Sequence, residues 1–149
     1  MGHLKGYILP LIKTYEVEEA TGELKKLYDS ILKMRGNVGN NAKLFSSSPE
    51  LLKQQMEFIK YYMNHPTLSM ALLAALRILV SDRNKCDFCV DFNTAMLVNM
   101  FDWTLDEVDA MKKDTTLAKF TKKEISLLIF VLKSIKDSLS VTQADVDNL

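Results

Sequence analysis

The chain has 149 residues, of which 48% are apolar and 26% charged, a balance typical of a folded globular protein and not of a disordered one. Nineteen Lys and Arg offset nineteen Asp and Glu, which excludes a global basic field that would hold nucleic acid or an anionic membrane. The last Gly is Gly39 and the last Pro is Pro66, whereas β-rich folds need frequent turns. We therefore predict one all-α domain over residues 1–149, with six or seven helices and no sheet.

The first half of the chain predicts an arm and two helices. Residues 1–15 mix Gly and Pro with apolar side chains, which favours an extended N-terminal arm. Apolar residues recur at helical spacing over 16–34, which predicts an amphipathic helix. Pro49 suits an early helical position, and Ser47 with Glu50 predicts a capping box that starts the second helix.

The second half predicts a series of helices without internal Gly or Pro. Two capping boxes, Thr104 with Glu107 and Thr121 with Glu124, open two of them. Thr142 begins a last turn or two. The predicted helical ranges in this half are 67–81, 86–101, 104–113 and 121–138.

The sequence also bears on the compartment. The longest strongly apolar stretch, residues 68–80, includes Arg77 and is too short and too charged to span a bilayer. Residues 1–12 lack the apolar run and cleavage site of a signal peptide. Two cysteines are a sparse disulfide framework for a secreted protein of this size. We expect a cytoplasmic protein with no membrane or nucleic-acid partner.

The pair Cys86 and Cys89 is the one constellation that can carry specific chemistry. The CxxC spacing predicts Cys86 in the first turn of a helix and Cys89 one turn further on the same face, close enough to form a disulfide. A helix N-terminus stabilises thiolate, and CxxC pairs there can have a thiol pKa lowered to about 3.5–7.5. Lys85 acts in the same direction, whereas Asp87 and Asp91 oppose it.

Two other interpretations of the cysteine pair stay open. Cysteine is among the most often buried residues, so the pair can simply pack in the core. A zinc site needs about four ligands, and the chain has two Cys and two His without a second CxxC. We therefore predict no metal and no cofactor.

A series of segments runs along nearly the whole chain, and their order and spacing resemble one family. The segments are Ala20-Thr-Gly-Glu23, Arg35-Gly36, Ser48-Pro49-Glu50-Leu51-Leu52, His65-Pro66-Thr67-Leu68-Ser69, Cys86-Asp-Phe-Cys89, Thr104-Leu-Asp-Glu-Val108 and Val141-Thr-Gln-Ala-Asp145-Val146. The chain resembles the carboxymuconolactone decarboxylase / AhpD-like superfamily, most closely its peroxidase-related members. The resemblance implies an all-helical fold, a homo-oligomer, and CxxC at the start of the central helix.

The resemblance also implies roles for individual residues. In the family's active peroxidases the second cysteine attacks the peroxide and the first resolves, which assigns these roles to Cys89 and Cys86. The family's proton relay is a His four residues after the second cysteine and a Glu twelve before the first. Those positions hold Asn93 and Ala74 here. His65 is the only histidine that we consider as a substitute.

The replaced relay changes the expected activity. Asn93 can form hydrogen bonds but cannot take a proton at neutral pH, and Ala74 has no carboxylate to orient a base. General acid–base catalysis typically contributes about 10²–10⁴ in rate. We expect a dithiol protein with weakened hydroperoxide reduction or disulfide exchange, activated by the helix end, Lys85 and the nearby arginines.

Partners follow from the arm and from the resemblance. The apolar segment 7–12 is hard to cover on a small monomer, which favours a homo-oligomer. The resemblance implies a hydroperoxide substrate and a thiol or lipoyl-protein reductant. Phe88, Phe92 and Trp103 are expected in the core or at a subunit interface, with a substrate pocket as the alternative.

Two rival functions stay open. The first is a non-catalytic oligomer that binds a small molecule or partner, as the loss of the relay suggests. The second is a decarboxylase or isomerase of the lactone branch, which would also need His or Glu in its pocket.

Overall fold

The computed structural model describes residues 11–149, and every regular element within that range is helical. The all-α prediction is therefore confirmed for this part of the chain. Most of the predicted arm, including residues 7–10 of its apolar segment, lies outside the described residues. Leu11 and Ile12, which belong to that segment and are described, are exposed.

The chain forms two compact units that divide between Asn64 and His65. Each has its own cluster of buried side chains. The prediction of a single domain over residues 1–149 stays a prediction.

The N-terminal unit contains α1 (Gly22–Arg35), α2 (Asn40–Lys43) and α3 (Pro49–Met63). The first helix starts later than predicted, because residues 17–19 form a turn and not a helix. Its buried side chains recur at helical spacing and pack against a residue of α3 in one cluster. Members of that cluster are Leu24, Tyr28, Ile31 and Leu52.

The start of α3 differs from the predicted capping box. Ser48, and not Ser47, is the N-cap, and its side chain accepts a hydrogen bond from Leu51 N–H at 3.4 Å. Pro49 occupies the first helical position, so the residue directly before it must be the cap. Glu50 instead accepts a hydrogen bond from Gln54.

The C-terminal unit contains five helices and two short 3₁₀ turns, at residues 115–117 and 138–140. Capping boxes at Thr104 and Thr121 confirm the predicted starts of two helices. The core is built mainly from one face each of four of these helices, with Ile78, Leu97 and Leu128 fully buried. The five helices are α4 (Met70–Arg83), α5 (Asp87–Met100), α6 (Leu105–Lys113), α7 (Lys122–Lys136) and α8 (Gln143–Asp147).

Counting both units, the described residues contain six helices of nine residues or more and two shorter ones, α2 and α8. A helix of four or five residues has little more than one turn, too short for an apolar period to show. None of the described helices is long and apolar enough to cross a membrane.

Candidate dithiol site

The turn between α4 and α5 fixes the backbone around the cysteine pair. Cys86 N–H donates to Ser81 C=O at 2.9 Å, and Lys85 N–H donates to Asp82 C=O at 3.2 Å. These two bonds form a Schellman motif after the C-cap Asn84. The motif ties the backbone of Cys86 to the last turn of α4.

Lys85 occupies the position of this motif that usually holds glycine. Its φ is +56°, in the left-handed region, which costs about 1–2 kcal/mol for a residue with a Cβ. The side chain is exposed, and Lys85 is not among the groups that shift the pKa of Cys89. Lys85 is therefore the neighbour of Cys86 in the sequence, and the role that the structure supports for it is that of its backbone in the turn between α4 and α5.

Cys86 is the N-cap of α5, one position before the predicted first turn. Its carbonyl oxygen accepts hydrogen bonds from Cys89 N–H and Val90 N–H, both at 3.1 Å. Cys89 is the third residue of the helix. Both cysteines thus lie at the positive end of the α5 dipole, as the CxxC spacing predicts.

The two thiols are free and half-buried, and the side chain of Cys86 interacts with that of Cys89. This interaction is the main cause that raises the pKa of Cys89, and partial burial and the electrostatic interaction of the two side chains add to the rise. The Ser81 hydroxyl donates to the Cys89 sulfur and lowers the pKa, as the smallest of these effects. The expected lowering at a helix end is therefore wrong for Cys89, because the neighbouring sulfur holds a proton on it.

Ser81 belongs to the site although no sequence pattern singles it out. Its carbonyl holds the backbone of Cys86 and its hydroxyl contacts the sulfur of Cys89. Both contacts depend on the Schellman turn, which brings the last turn of α4 back over the first turn of α5. A residue five positions before a CxxC pair is recognisable as a site residue only after that turn is known.

The two positions that the resemblance assigns to a proton relay lie inside the C-terminal unit. Ala74 is fully buried in α4, and Asn93 in α5 is 5% exposed. Asn93 Nδ2 donates to Cys89 C=O at 2.8 Å, whereas its Oδ1 is buried and has no hydrogen-bond partner among the described residues. At the two positions where the resemblance leads us to expect an ionisable pair, the chain therefore has an amide with one unused acceptor and a methyl group.

His65 makes local contacts at the start of the C-terminal unit. Its Nδ1 accepts hydrogen bonds from Thr67 N–H at 3.3 Å and Leu68 N–H at 3.1 Å. In these contacts the ring caps the turn that leads to α4. His65 is not among the groups that shift the pKa of Cys89, so its role as a substitute base stays a prediction.

The aromatic residues near the cysteines separate into two groups. Trp103 is buried and packs against Phe120, with ring centroids 5.4 Å apart. Phe88 and Phe92 are 73% and 53% exposed and stack on each other at 6.3 Å on the surface of α5. The core expectation holds for Trp103 and is wrong for the two phenylalanines, whose interface role stays a prediction.

The site is a dithiol without a metal-binding cluster in the part of the chain that is described. No group of three or more His, Cys, Asp or Glu side chains converges there. The chemistry available to these residues is that of two adjacent sulfurs, which can alternate between dithiol and disulfide.

No known family profile matches the chain, and no curated protein matches it. A solved structure does match: the alkylhydroperoxidase AhpD core of an uncharacterized peroxidase-related protein from Ralstonia eutropha JMP134. The TM-score is 0.74, and the match covers 93% of this chain and 73% of the other. The chain has the AhpD-like fold. Because the two sequences are 19% identical, the AhpD-like likeness concerns the fold, and the chemistry rests on the residues above.

Proposed function

We propose that this AhpD-like chain is a thiol-redox protein that reduces organic hydroperoxides slowly or exchanges disulfides through Cys86 and Cys89. The observation that carries the proposal is the pair of free, half-buried cysteines at the N-cap and the third residue of α5. A cysteine pair buried for packing alone has no need of a helix end or a hydroxyl donor. Free thiols also suit a reducing compartment, so we place the protein in the cytoplasm.

The reaction balances with a hydroperoxide as oxidant and a dithiol as reductant. The Cys89 thiolate attacks the terminal oxygen of ROOH, the O–O bond breaks, and RO⁻ leaves and takes a proton to give ROH. Cys89 is then a sulfenic acid. The Cys86 sulfur attacks it, which forms the Cys86–Cys89 disulfide and releases water. A thiol or lipoyl-protein dithiol reduces this disulfide by two exchange steps and returns both protons.

Two features of the site support a weak activity. The first step needs Cys89 as thiolate, and its raised pKa makes that species scarce at neutral pH. Asn93 and Ala74 offer no base in place of the family's relay. Among the causes of the Cys89 pKa, Ser81 is the one that lowers it.

Mass spectrometry can test the assignment of the two roles. The reduced protein treated with cumene hydroperoxide is expected to lose two hydrogen atoms as the Cys86–Cys89 disulfide forms. In Cys86→Ser the sulfenic acid has no resolving thiol, so dimedone is expected to label Cys89. Cys89→Ser is the matched control and is expected to give no dimedone adduct at Cys86. Labelling of Cys86 in that control would reverse the roles, and no oxidation of the unmodified protein would reject the proposal.

A second candidate function is a non-catalytic homo-oligomer that binds a partner. The exposed stacked pair Phe88 and Phe92 favours it, since exposed apolar groups mark contact surfaces. Light scattering at several protein concentrations is expected to give a mass above 17.0 kDa, and Phe88→Ser with Phe92→Ser is expected to lower it. A stable species of 17.0 kDa in the unmodified protein would refute the oligomer.

A further inference from the structure

A surface groove of the C-terminal unit begins at the turn before Cys86. It consists of two adjoining cavities of about 450 and 260 Å³, both lined by Arg83 and Lys136. The volume of the larger one lies within the range of clefts that hold small organic ligands. We call it the Arg83–Lys136 groove; its other lining residues are Asn84, Thr115, Ile129, Leu132, Lys133 and Ile135.

The groove carries positive charge that no described carboxylate compensates. Arg83 Nη1 donates to Leu132 C=O at 3.1 Å, which fixes the guanidinium at the groove. Neither Arg83 nor Lys136 forms an ion pair with a described residue, whereas Lys133 pairs with Asp145 at 2.7 Å. The C-terminal ends of α4 and α7 offset about half a charge each, so about one positive charge remains.

The groove also has an apolar side. Ile129 and Ile135 are 44% and 46% exposed, and the buried Leu132 lines the smaller cavity. Burial of exposed aliphatic side chains is favourable in free energy, and the hydrocarbon chain of a ligand would bury them. A planar guanidinium matches a carboxylate in a two-pronged hydrogen bond, which a fixed arginine offers at low entropic cost.

We infer that the Arg83–Lys136 groove binds a small carboxylate with a medium-length alkyl chain. The carboxylate lies between the guanidinium and the Lys136 ammonium, and the chain lies over Ile129 and Leu132 in the smaller cavity. This binding requires no cysteine chemistry. It therefore stands or falls separately from the proposed redox function.

The test uses octanoate as the probe and follows chemical shifts of the ¹⁵N-labelled full chain. We expect a Kd on the order of 1 mM or below, in the range of a few charge-assisted and apolar contacts. Acetate, which lacks the chain, and octylammonium, which reverses the charge, are each expected to bind at least about tenfold more weakly. Equal binding of either probe would overturn the inference.

Variants locate the site. The Lys136 side chain forms no ion pair with a described residue, so Lys136→Gln is expected to leave the fold intact. It is expected to weaken octanoate binding at least about fivefold, because it removes a charge-assisted contact with the carboxylate. Lys123→Gln, at the other end of α7, removes the same charge away from the groove and is the matched control. Arg83→Lys keeps the charge and is expected to bind better than Arg83→Gln.

The outcome at Lys136 decides the inference. Unchanged affinity in Lys136→Gln, or equal loss in Lys123→Gln, would overturn it, since the charge effect would then not belong to the groove. The double variant Cys86→Ser and Cys89→Ser is expected to bind octanoate like the unmodified chain. Loss of octanoate binding in this double variant would place octanoate at the cysteines and would also overturn the inference that it binds in the groove.

Discussion

The buried amide of Asn93 gives a prediction about stability that the structure makes quantitative. Replacing Asn93 with Leu keeps nearly the same side-chain size. It removes the Nδ2 hydrogen bond to Cys89 C=O, worth about 0.5–1.5 kcal/mol net, and removes the unpartnered Oδ1, whose burial costs about 1–3 kcal/mol. The second effect is the larger. We expect Asn93→Leu to stabilise the C-terminal unit by about 1 kcal/mol.

Trp103 provides the assay for Asn93→Leu. It is the only tryptophan and is buried in the same core as α5, so its fluorescence follows urea unfolding of this unit. A gain of about 1 kcal/mol corresponds to a rise in Tm of about 4–8 °C for a unit of this size. Asn93→Asp is the matched control and is expected to destabilise, because it buries a carboxylate without a partner. A loss of more than about 1 kcal/mol in Asn93→Leu would refute the reasoning, since Oδ1 would then have a partner in solution.

Three further predictions concern the same site. Lys85→Gly relieves the left-handed strain and is expected to raise the free energy of unfolding by about 1 kcal/mol in urea titrations, whereas Lys85→Ala keeps the strain and should give no gain. Ser81→Ala removes the donor to the Cys89 sulfur, so thiolate absorbance titrated against pH should show a Cys89 pKa above that of the unmodified protein; an equal or lower pKa would contradict the contact. Ala74→Glu with Asn93→His places the relay pair implied by the resemblance in the core and, in protein that circular dichroism shows to be folded, is expected to raise the rate of hydroperoxide reduction at pH 7 about 10²-fold or more; unchanged rates in the folded variant would show that the missing relay is not what limits the dithiol.

The helices were predictable from the sequence because their signals are local. Capping boxes at Thr104 and Thr121 lie within four residues, and apolar spacing within one helix shows its buried face. The predicted N-cap of α3 was wrong by one residue. Both Ser47 and Ser48 can cap a helix, and only the position of Pro49 at N1 selects between them. The AhpD-like fold followed from the order of short segments along the whole chain.

The site was predictable only in part, because its properties depend on opposing effects from residues that are distant in the sequence. The CxxC pair at a helix start follows from spacing, but the raised pKa of Cys89 follows from the neighbouring sulfur and burial, which raise the pKa, outweighing Ser81, which lowers it. No local pattern gives the weight of each effect. The groove shows the same limit, because Arg83 meets Leu132 across 49 positions of the chain.

The central claim is that Cys86 and Cys89 form a redox-active pair and not a packed one. The most direct test is the second-order rate constant for oxidation of the reduced protein by cumene hydroperoxide, measured by stopped-flow fluorescence of Trp103 with free cysteine as the reference. We predict that the pair is oxidised through Cys89, at a rate that rises with pH as Cys89 loses its proton and that Cys89→Ser abolishes. A rate unchanged in Cys89→Ser would contradict the account.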